Sequence, residues 1–231
     1  MFGWGKKMKE NHPFTSAIIA AAGNSSRVTA VSDKLFAKIN NKTVIEMTIQ
    51  AFQNSGTVDE IIIVTREDRI VELNKLKEQN KFDKITHIIT GGSSRAKSIE
   101  NGIHHISSDC LFISIHDGAR PFITPEEIDN IHNHAYKYNS VCCGYNVVDT
   151  IKEVNSLGFI EKSLNRENLF AAATPQVFRK DIYLKSLKIL NNQIERFTDD
   201  ATMVFAAGFP VKTFFCSDEN KKITTDNDLK L

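Results

Sequence analysis

The chain alternates short β-branched runs with longer amphipathic windows, and this alternation restricts its fold more than any other feature. The runs predicted as strands span residues 16–20, 61–65, 87–90 and 111–116. The windows predicted as helices between them span residues 44–52, 70–76 and 96–106. Successive parallel strands need a crossover connection, which is usually a helix that packs on the sheet. The sequence therefore predicts an α/β fold with a wound, mostly parallel sheet and helices on both faces.

The second half of the chain departs from this alternation of strands and helices. Residues 124–127, TPEE, can cap a helix that runs to about Tyr138. Two extended segments joined by a turn at residues 155–158 then predict a protruding β-hairpin arm over about residues 147–170. The elements predicted after the arm are a helix from 198–200 to about 208, a strand at 211–216 and a short helix from 226.

Length and composition limit the class of protein. With 231 residues, 41% of them hydrophobic, we expect a single domain over residues 16–231 after a flexible basic leader over residues 1–15. The 29 basic and 28 acidic residues leave a net charge of +1, so no overall field favours nucleic acid or an anionic membrane as partner. No apolar window is long enough to span a membrane, and the four cysteines lack C-x-x-C spacing. These features predict a cytoplasmic protein with reduced thiols.

Polar loops follow the predicted strands, and in an open parallel sheet such loops converge on one edge where ligands bind. The first strand is followed by Gly23-Asn24-Ser25-Ser26-Arg27 and then by Lys34. Small residues let backbone N–H groups surround phosphate oxygens, and the two basic side chains can neutralise phosphate charge. The alternative is an ordinary strand-to-helix turn with solvated basic residues.

Two further strand ends carry similar chemistry. Residues 91–98, GGSSRAKS, form a second glycine and serine loop that opens a helix and permits the close approach of a base or a phosphate. After the fourth strand, Asp117 can hold a magnesium ion or a sugar hydroxyl, and Arg120 can bind a phosphate monoester. The alternative for these two residues is an internal ion pair, and we expect His116 to be a packed residue rather than a ligand.

Near the C-terminus, Lys221 and Lys222 precede a short β-branched run, and either can reach the site or lie on the surface. Taken together, the strand-end loops predict a site for a nucleoside triphosphate and a second phosphorylated ligand.

Seven motifs in this chain are similar in order and spacing to those of a known family. They are AAAGNSSR, GGSSRAKS, HDGARPF, VVDTIK, NRENLFAAATPQ, RFTDDA and NKKITTDNDL. Over residues 16–231 the chain resembles the polyol-phosphate cytidylyltransferases, and most closely those that act on 2-C-methyl-D-erythritol 4-phosphate. The resemblance implies a Rossmann-like fold of the nucleotidyltransferase type. It also implies that CTP and methylerythritol phosphate are joined, with Mg²⁺, to a CDP-alcohol and pyrophosphate in non-mevalonate isoprenoid biosynthesis.

The same resemblance implies roles for particular residues. Those with a catalytic role at the phosphates are Arg27, Lys34 and Lys222. Those that bind the nucleotide are Ala21, Ala22, Gly23, Gly92, Ser93, Arg95 and Ser98. Those that bind the polyol phosphate are Asp117, Arg120, Thr150, Arg166 and Thr174. Asp117 is the candidate metal ligand. The resemblance also implies a homodimer in which the arm carries Thr150 and Arg166 to the neighbouring subunit's site.

Three alternative functions remain at this point. Ribitol-5-phosphate cytidylyltransferase shares the fold and the CTP chemistry. A nicotinamide-binding dehydrogenase is disfavoured because Gly23 stands alone instead of in G-x-G-x-x-G, and because the second strand ends in Val64-Thr65-Arg66 without an acid. The chain departs from the family, which has glycine, methionine, proline and an acid where this chain has Ser25, Val28, Asp33 and Ser93. The departures near Ser25 and Asp33 leave open a third alternative, an inactive nucleotide-binding protein.

Overall fold

A computed structural model describes residues 12–23 and 33–229 of the chain. The strands are β1 Thr15–Ala21, β2 Lys38–Ile39, β3 Lys42–Thr43, β4 Glu60–Thr65, β5 Ile85–Thr90, β6 Phe112–Asp117, β7 Ser140–Asn146, β8 Lys152–Val154, β9 Ile160–Ser163, β10 Phe170–Arg179 and β11 Lys212–Phe215. The α-helices are α1 Val44–Asn54, α2 Ile70–Asn80, α3 Arg95–Ile103, α4 Pro125–Tyr138, α5 Lys180–Leu190 and α6 Asp200–Ala206. Short 3-10 segments lie at Glu67–Arg69, Arg166–Asn168, Asn191–Arg196 and Asp226–Leu229. No helix within this described part is long and apolar enough to cross a membrane.

The main sheet has seven strands in the order β11-β7-β10-β6-β1-β4-β5. β1 lies between β6 and β4 and runs parallel to both, so that Ile18 is level with Ile62 on one side and Ile115 on the other. β10 pairs antiparallel with β6 and β7, whereas the other described pairs in this sheet are parallel. The predicted wound, mostly parallel sheet is confirmed.

Helices cover both faces of the sheet, as predicted. Because side chains alternate along a strand, Ala17 and Ile19 of β1 belong to one hydrophobic core and Ile18 to the other. The first core includes buried residues of α1, α2 and α4, and the second includes buried residues of α3, α5 and α6. The two cores hold the central strands rigid from both sides, which fixes the positions of the loops at their carboxyl ends.

The predicted cap of α4 is present. Thr124 accepts a hydrogen bond from the backbone N–H of Glu127, and the Glu127 side chain accepts one from the backbone N–H of Thr124. The helix ends at Tyr138, and Asn139 follows in the left-handed conformation.

The predicted hairpin is also present. β8 and β9 form a separate two-stranded antiparallel sheet, and every residue in both strands is exposed. The turn between them is held by the Asn155 side chain, which accepts hydrogen bonds from the backbone N–H groups of Leu157 and Phe159. The hairpin therefore lies outside the two cores of the domain.

The sequence patterns did not predict β7, β10 or α5. Pro175 interrupts β10 and lies within a register shift between Ala172 and Gln176, so the run does not resemble a continuous strand. β7 contains two cysteines and a glycine, which weakens its β-branched signal. The expected leader falls mostly on residues outside the described ranges, and β1 begins at Thr15.

Candidate active site

A cavity of about 600 Å³ opens at the carboxyl ends of β1, β4, β5 and β6. Ten predicted site residues line it: Ala21, Ala22, Gly23, Lys34, Gly92, Ser93, Arg95, Ser98, Asp117 and Lys222. Of the predicted residues that the structure describes, four do not line it: Arg120, Thr150, Arg166 and Thr174. Arg27, together with Ser25 and Val28, lies outside the described residues.

Close packing of two strand-end loops forms one wall of the cavity. A Cβ atom on Gly91 would lie 2.5 Å from the Cβ of Ala22 and 2.8 Å from the hydroxyl oxygen of Ser98, so only glycine fits there. The Ser98 hydroxyl donates a hydrogen bond to the carbonyl oxygen of Ser94 (2.8 Å) and accepts one from the backbone N–H of Gly92 (3.0 Å). The side chain of Ser98 thus holds the shape of the glycine loop from within.

Asp117 is the acidic centre of the site. Its carboxylate lies 2.6 Å from Lys222 Nζ and 3.4 Å from Arg95 Nε. Burial raises the pKa of the Asp117 carboxyl, but the nearby positive charges of Arg95 and Lys222 outweigh burial and hold that pKa well below its usual range. Asp117 is therefore ionised at every pH at which an enzyme is normally assayed.

The alternative of an Asp117–Arg120 ion pair is not what the structure shows. The carboxylate of Asp117 pairs with other cations, while Arg120 Nη1 donates to the carbonyl oxygen of Asn220 at 2.7 Å. Asn220 also donates from its side-chain amide to the carbonyl oxygen of Thr174 at 2.8 Å. Arg120 and Thr174 therefore lie behind the cavity wall, joined through a segment near the C-terminus.

The same segment carries Lys222 to the cavity and also binds Lys34. The backbone N–H of Ile223 donates to the carbonyl oxygen of Ala119 (2.8 Å), which holds the segment beside the end of β6. The carbonyl oxygen of Ile223 accepts a hydrogen bond from Lys34 Nζ at 3.1 Å. The sequence alone left open whether Lys221 or Lys222 reaches the site. In the structure Lys222 lines the cavity, whereas Lys221 is exposed.

A second carboxylate, that of the buried Asp200, binds Arg95 in addition to Asp117. Arg95 Nη1 lies 2.6 Å from Asp200, and the hydroxyl of Tyr183 donates to the other oxygen of Asp200 at 2.6 Å. Burial lowers the pKa of Arg95, but the charges of Asp200 and Asp117 more than offset it and raise that pKa above its usual range. The guanidinium thus stays charged between two carboxylates.

His116 is a packed residue, as expected. It is fully buried, and its ring nitrogens contact the carbonyl oxygen of Arg120 (3.1 Å) and the hydroxyl of Thr174 (3.1 Å). Burial lowers the pKa of His116 to about 4, so the ring is neutral near pH 7. The Thr174 hydroxyl also accepts a hydrogen bond from the backbone N–H of Asp117 at 3.0 Å, which fixes the strand end that carries the carboxylate.

The two predicted site residues on the arm are both exposed. Arg166 Nη1 donates to the carbonyl oxygen of Val148 at 2.9 Å, which fastens the guanidinium to the arm itself.

Sequence reasoning missed several residues that line the cavity. Thr65 ends the second predicted strand and Arg66 and Glu67 follow it, while Leu35 and Ala119 lie close to predicted residues. The position of the first three at the end of a parallel strand was a sufficient signal, because all such ends meet at the ligand-binding edge.

Comparisons with known proteins agree with this geometry. The sequence profile of the IspD family, 2-C-methyl-D-erythritol 4-phosphate cytidylyltransferase, matches residues 15–231. The chain is 38% identical over 216 residues to the enzyme of that name from Clostridium botulinum strain Loch Maree, a match that covers 94% of each chain. It is 39% identical over 214 residues to that from Clostridium acetobutylicum, covering 92% of this chain and 93% of the relative.

Solved structures give the same result. The crystal structure of 4-diphosphocytidyl-2C-methyl-D-erythritol synthase from Anaerococcus prevotii superposes with a TM-score of 0.82 at 28% identity, covering 94% of this chain and 95% of that one. The Francisella tularensis 2-C-methyl-D-erythritol 4-phosphate cytidylyltransferase has a TM-score of 0.77 at 27% identity, covering 94% and 97%. The sheet, the cavity and these relatives confirm the resemblance and the fold type drawn from the motifs, and they do not favour the ribitol or nicotinamide alternatives. This chain belongs to the 2-C-methyl-D-erythritol 4-phosphate cytidylyltransferase family.

Proposed function

We propose that the cavity is the site at which this chain joins CTP and 2-C-methyl-D-erythritol 4-phosphate to give 4-CDP-2-C-methyl-D-erythritol and pyrophosphate in isoprenoid biosynthesis. The observation that carries the proposal is the meeting of Lys34, Lys222 and Asp117 beside two loops of small residues at one edge of the sheet. The cavity volume of about 600 Å³ is within the range of ~300–1,000 Å³ usual for small-molecule sites.

The nucleotide is assigned to the side of the cavity formed by β1 and β5. Ala21, Ala22 and Gly23 bring no bulky side chain to the end of β1, and Gly92 and Ser93 do the same at the end of β5. Backbone N–H groups can therefore come close to phosphate oxygens and to the base. Ser98 acts here through the shape of its loop, since its hydroxyl is engaged with Ser94 and Gly92.

The reaction needs charge neutralisation and alignment more than proton transfer. A phosphate oxygen of methylerythritol phosphate is already ionised, so it attacks the α-phosphorus of CTP without a general base. A new oxygen–phosphorus bond forms, the bond to the bridging oxygen breaks, and pyrophosphate leaves with that electron pair. Lys34 and Lys222 stabilise the negative charge that accumulates at the α-phosphate, and Arg27 is proposed to stabilise the departing pyrophosphate.

Asp117 positions the ammonium group of Lys222. By binding Lys222 at 2.6 Å, it holds the ammonium at the cavity wall before a nucleotide arrives. Because Asp117 remains ionised, the proposed function does not depend on its titration near neutral pH.

The residues present fit a magnesium ion carried by the nucleotide. Within residues 12–23 and 33–229, no group of three His, Cys, Asp or Glu side chains forms a metal centre alone. Mg²⁺ commonly takes one or two carboxylates and completes its shell with substrate phosphates and water, and Asp117 offers such a carboxylate in the cavity. When bound, the ion would neutralise triphosphate charge and favour release of pyrophosphate.

The acceptor site is proposed to be completed by a second copy of the chain. Arg120 and Thr174 lie behind the wall near Asp117, and we assign Thr150 and Arg166 to the site of a neighbouring subunit. In support, the arm carries exposed apolar side chains, among them Val148, Leu157 and Phe159, of the kind that a dimer would cover. The proposed assembly is a homodimer formed through the arm.

We also place the enzyme in the cytoplasm. All four cysteines are free thiols, and three of them are buried, which agrees with a reducing compartment.

Substitution of Lys34 tests the function directly. We expect Lys34→Ala to lower kcat by about 100-fold or more, by the scale of losses seen when a charge-stabilising donor is removed from an active site. Pyrophosphate release from CTP, methylerythritol phosphate and Mg²⁺ is the measurement. Lys38→Ala is the matched control, because Lys38 is an exposed lysine of the same segment that does not line the cavity.

Two results would contradict the proposal. Near-normal turnover by folded Lys34→Ala would remove the catalytic role of that lysine. Faster turnover with ribitol 5-phosphate than with methylerythritol phosphate would replace the acceptor that we propose.

A further inference from the structure

Asp33 is a buried carboxylate immediately before Lys34. It is only 3% exposed. Its Oδ2 atom lies 2.6 Å from Arg66 Nη2 and 3.1 Å from Arg69 Nε. The negative charge beside Lys34 is thus bound by two arginines that lie far from it in the chain.

Asp33 also shapes the turn that contains Lys34. Its Oδ1 atom accepts a hydrogen bond from the backbone N–H of Leu35 at 3.1 Å, and its carbonyl oxygen accepts one from the backbone N–H of Phe36 at 3.1 Å. Lys34 is enclosed within these two bonds. An aspartate side chain that bonds to the backbone two residues later restricts a turn to one conformation.

The two arginines connect this turn to a rigid part of the fold. Arg66 follows β4 directly and lines the cavity, and Arg69 precedes α2. The guanidinium of Arg69 also lies 4.7 Å from the ring centre of Phe36, at the far end of the same turn. The turn is therefore fastened to the β4–α2 connection through Asp33 and again through Phe36.

We propose that Asp33, with Arg66 and Arg69, forms a positioning cluster that fixes the ammonium group of Lys34 relative to the α-phosphate of CTP. This inference rests on the proposed function. The turn determines where the Lys34 side chain starts, and the contact with Ile223 shows where its Nζ atom is directed, 3.1 Å from that carbonyl oxygen. Asp33 acts through Lys34, because its carboxylate is turned into the cluster and it does not line the cavity.

The experiment compares kcat for four proteins under saturating CTP, methylerythritol phosphate and Mg²⁺. Asp33→Asn keeps the shape of the side chain and the acceptor for Leu35 but removes the charge that binds both arginines. Misplacement of a catalytic group by about 1 Å can cost ~100-fold in rate, so we expect kcat to fall roughly 10- to 100-fold. Lys34→Ala and the double variant Asp33→Asn/Lys34→Ala complete the set with the wild type.

The double variant distinguishes positioning from a general structural role. If Asp33 acts through Lys34, substitution of Asp33 has no further effect on kcat once Lys34 is absent. The kcat of the double variant then matches that of Lys34→Ala within about twofold. If Asp33 only stabilises the fold or another part of the site, the fold-losses in kcat of the two single variants multiply in the double variant.

Asp68 provides the matched control. It is an exposed carboxylate that contacts the same two arginines, at 3.1 Å from Arg66 Nε and 3.6 Å from Arg69 Nε, but it lies outside the Lys34 turn and the cavity. We expect Asp68→Asn to retain kcat within about twofold, as exposed ion pairs contribute little.

Arg69→Gln is the second variant, for the case that Asp33→Asn does not fold. Arg69 does not line the cavity, so this change weakens the cluster without altering the cavity wall. We expect a kcat loss that is again absent in the Lys34→Ala background.

Three results overturn the proposal: unchanged kcat in folded Asp33→Asn, unchanged kcat in folded Arg69→Gln, or losses that multiply with Lys34→Ala. Near-normal turnover by Lys34→Ala is a separate outcome. It refutes the proposed catalytic role of Lys34, and the positioning role of Asp33 with it.

Discussion

The support of Arg95 by Asp200 leads to a prediction with a definite size. Asp200 is 4% exposed, and Asp200→Asn removes its charge while preserving its shape. Breaking a fully buried ion pair costs about 3–5 kcal/mol. Arg95 is 32% exposed and retains Asp117 at 3.4 Å, so we expect a smaller loss of about 2 kcal/mol in the free energy of unfolding. For a domain of this length that loss lowers Tm by roughly 4–8 °C.

The same substitution should weaken nucleotide binding. Without Asp200, Arg95 retains only Asp117 as a carboxylate partner among the described residues, and it shares that carboxylate with Lys222. We expect KM for CTP to rise about 5- to 10-fold, since one charged hydrogen bond is worth ~1.5–3 kcal/mol and part of it is replaced.

Tyr183→Phe is the matched control for this prediction. It removes the hydroxyl that donates to Asp200 at 2.6 Å but leaves the ion pair with Arg95. Thermal unfolding and steady-state kinetics are measured for both variants. We expect Tyr183→Phe to lose stability with little change in KM. The reasoning is refuted if Asp200→Asn has a Tm within about 1 °C of the wild type, or if its KM for CTP equals that of Tyr183→Phe.

Two further predictions concern pH and assembly. Burial lowers the pKa of His132 to about 3, below its usual value of 6.5, so the unfolded chain binds a proton in that window that the folded chain does not. The free energy of unfolding should therefore fall as pH decreases from about 6.5 towards 3, by up to ~1.4 kcal/mol per pH unit for this residue. Measured by urea unfolding, the free energy of unfolding of His132→Gln should depend less steeply on pH than that of the wild type. If the arm completes the partner's site, co-expression of Lys34→Ala with Arg166→Ala should restore about a quarter of wild-type activity, because half of the dimers are mixed and each has one intact site. Activity no higher than that of either variant alone would contradict this sharing of residues.

The parts of the fold that local patterns encode could be predicted from the sequence. β1, β4 and β6 are buried and pair in parallel, and their apolar runs stand out for that reason. β5 pairs in parallel with β4 at the edge of the sheet and is only partly buried, but its β-branched residues still marked it as a strand. The cap of α4 was equally visible, because both of its bonding partners lie within four residues. β10 was not predicted because its strand character comes from pairing with β6 and β7, which overrides the interruption at Pro175.

The candidate site likewise has one part that could be predicted from the sequence and one that could not. Loops that follow strands could be assigned to one edge because topology alone brings them together. The surroundings of Asp33 could not be predicted, since its partners Arg66 and Arg69 are 33 and 36 residues away in the chain. In the sequence Asp33 was only a departure from the family pattern, whereas in the structure its contacts stabilise the turn that carries Lys34. The pairing of Asp117 with Lys222 across 105 residues is a contact of the same kind.

The segment that holds Lys222 is made after every strand of the main sheet. A growing chain that has been synthesised through β11 contains all seven strands, yet it lacks Lys222 and the Ile223 carbonyl that binds Lys34. Asn220, which links Arg120 to Thr174, is missing at that stage as well. A chain that stops between β11 and residue 222 therefore keeps all seven strands but lacks Lys222, which we propose to act at the α-phosphate.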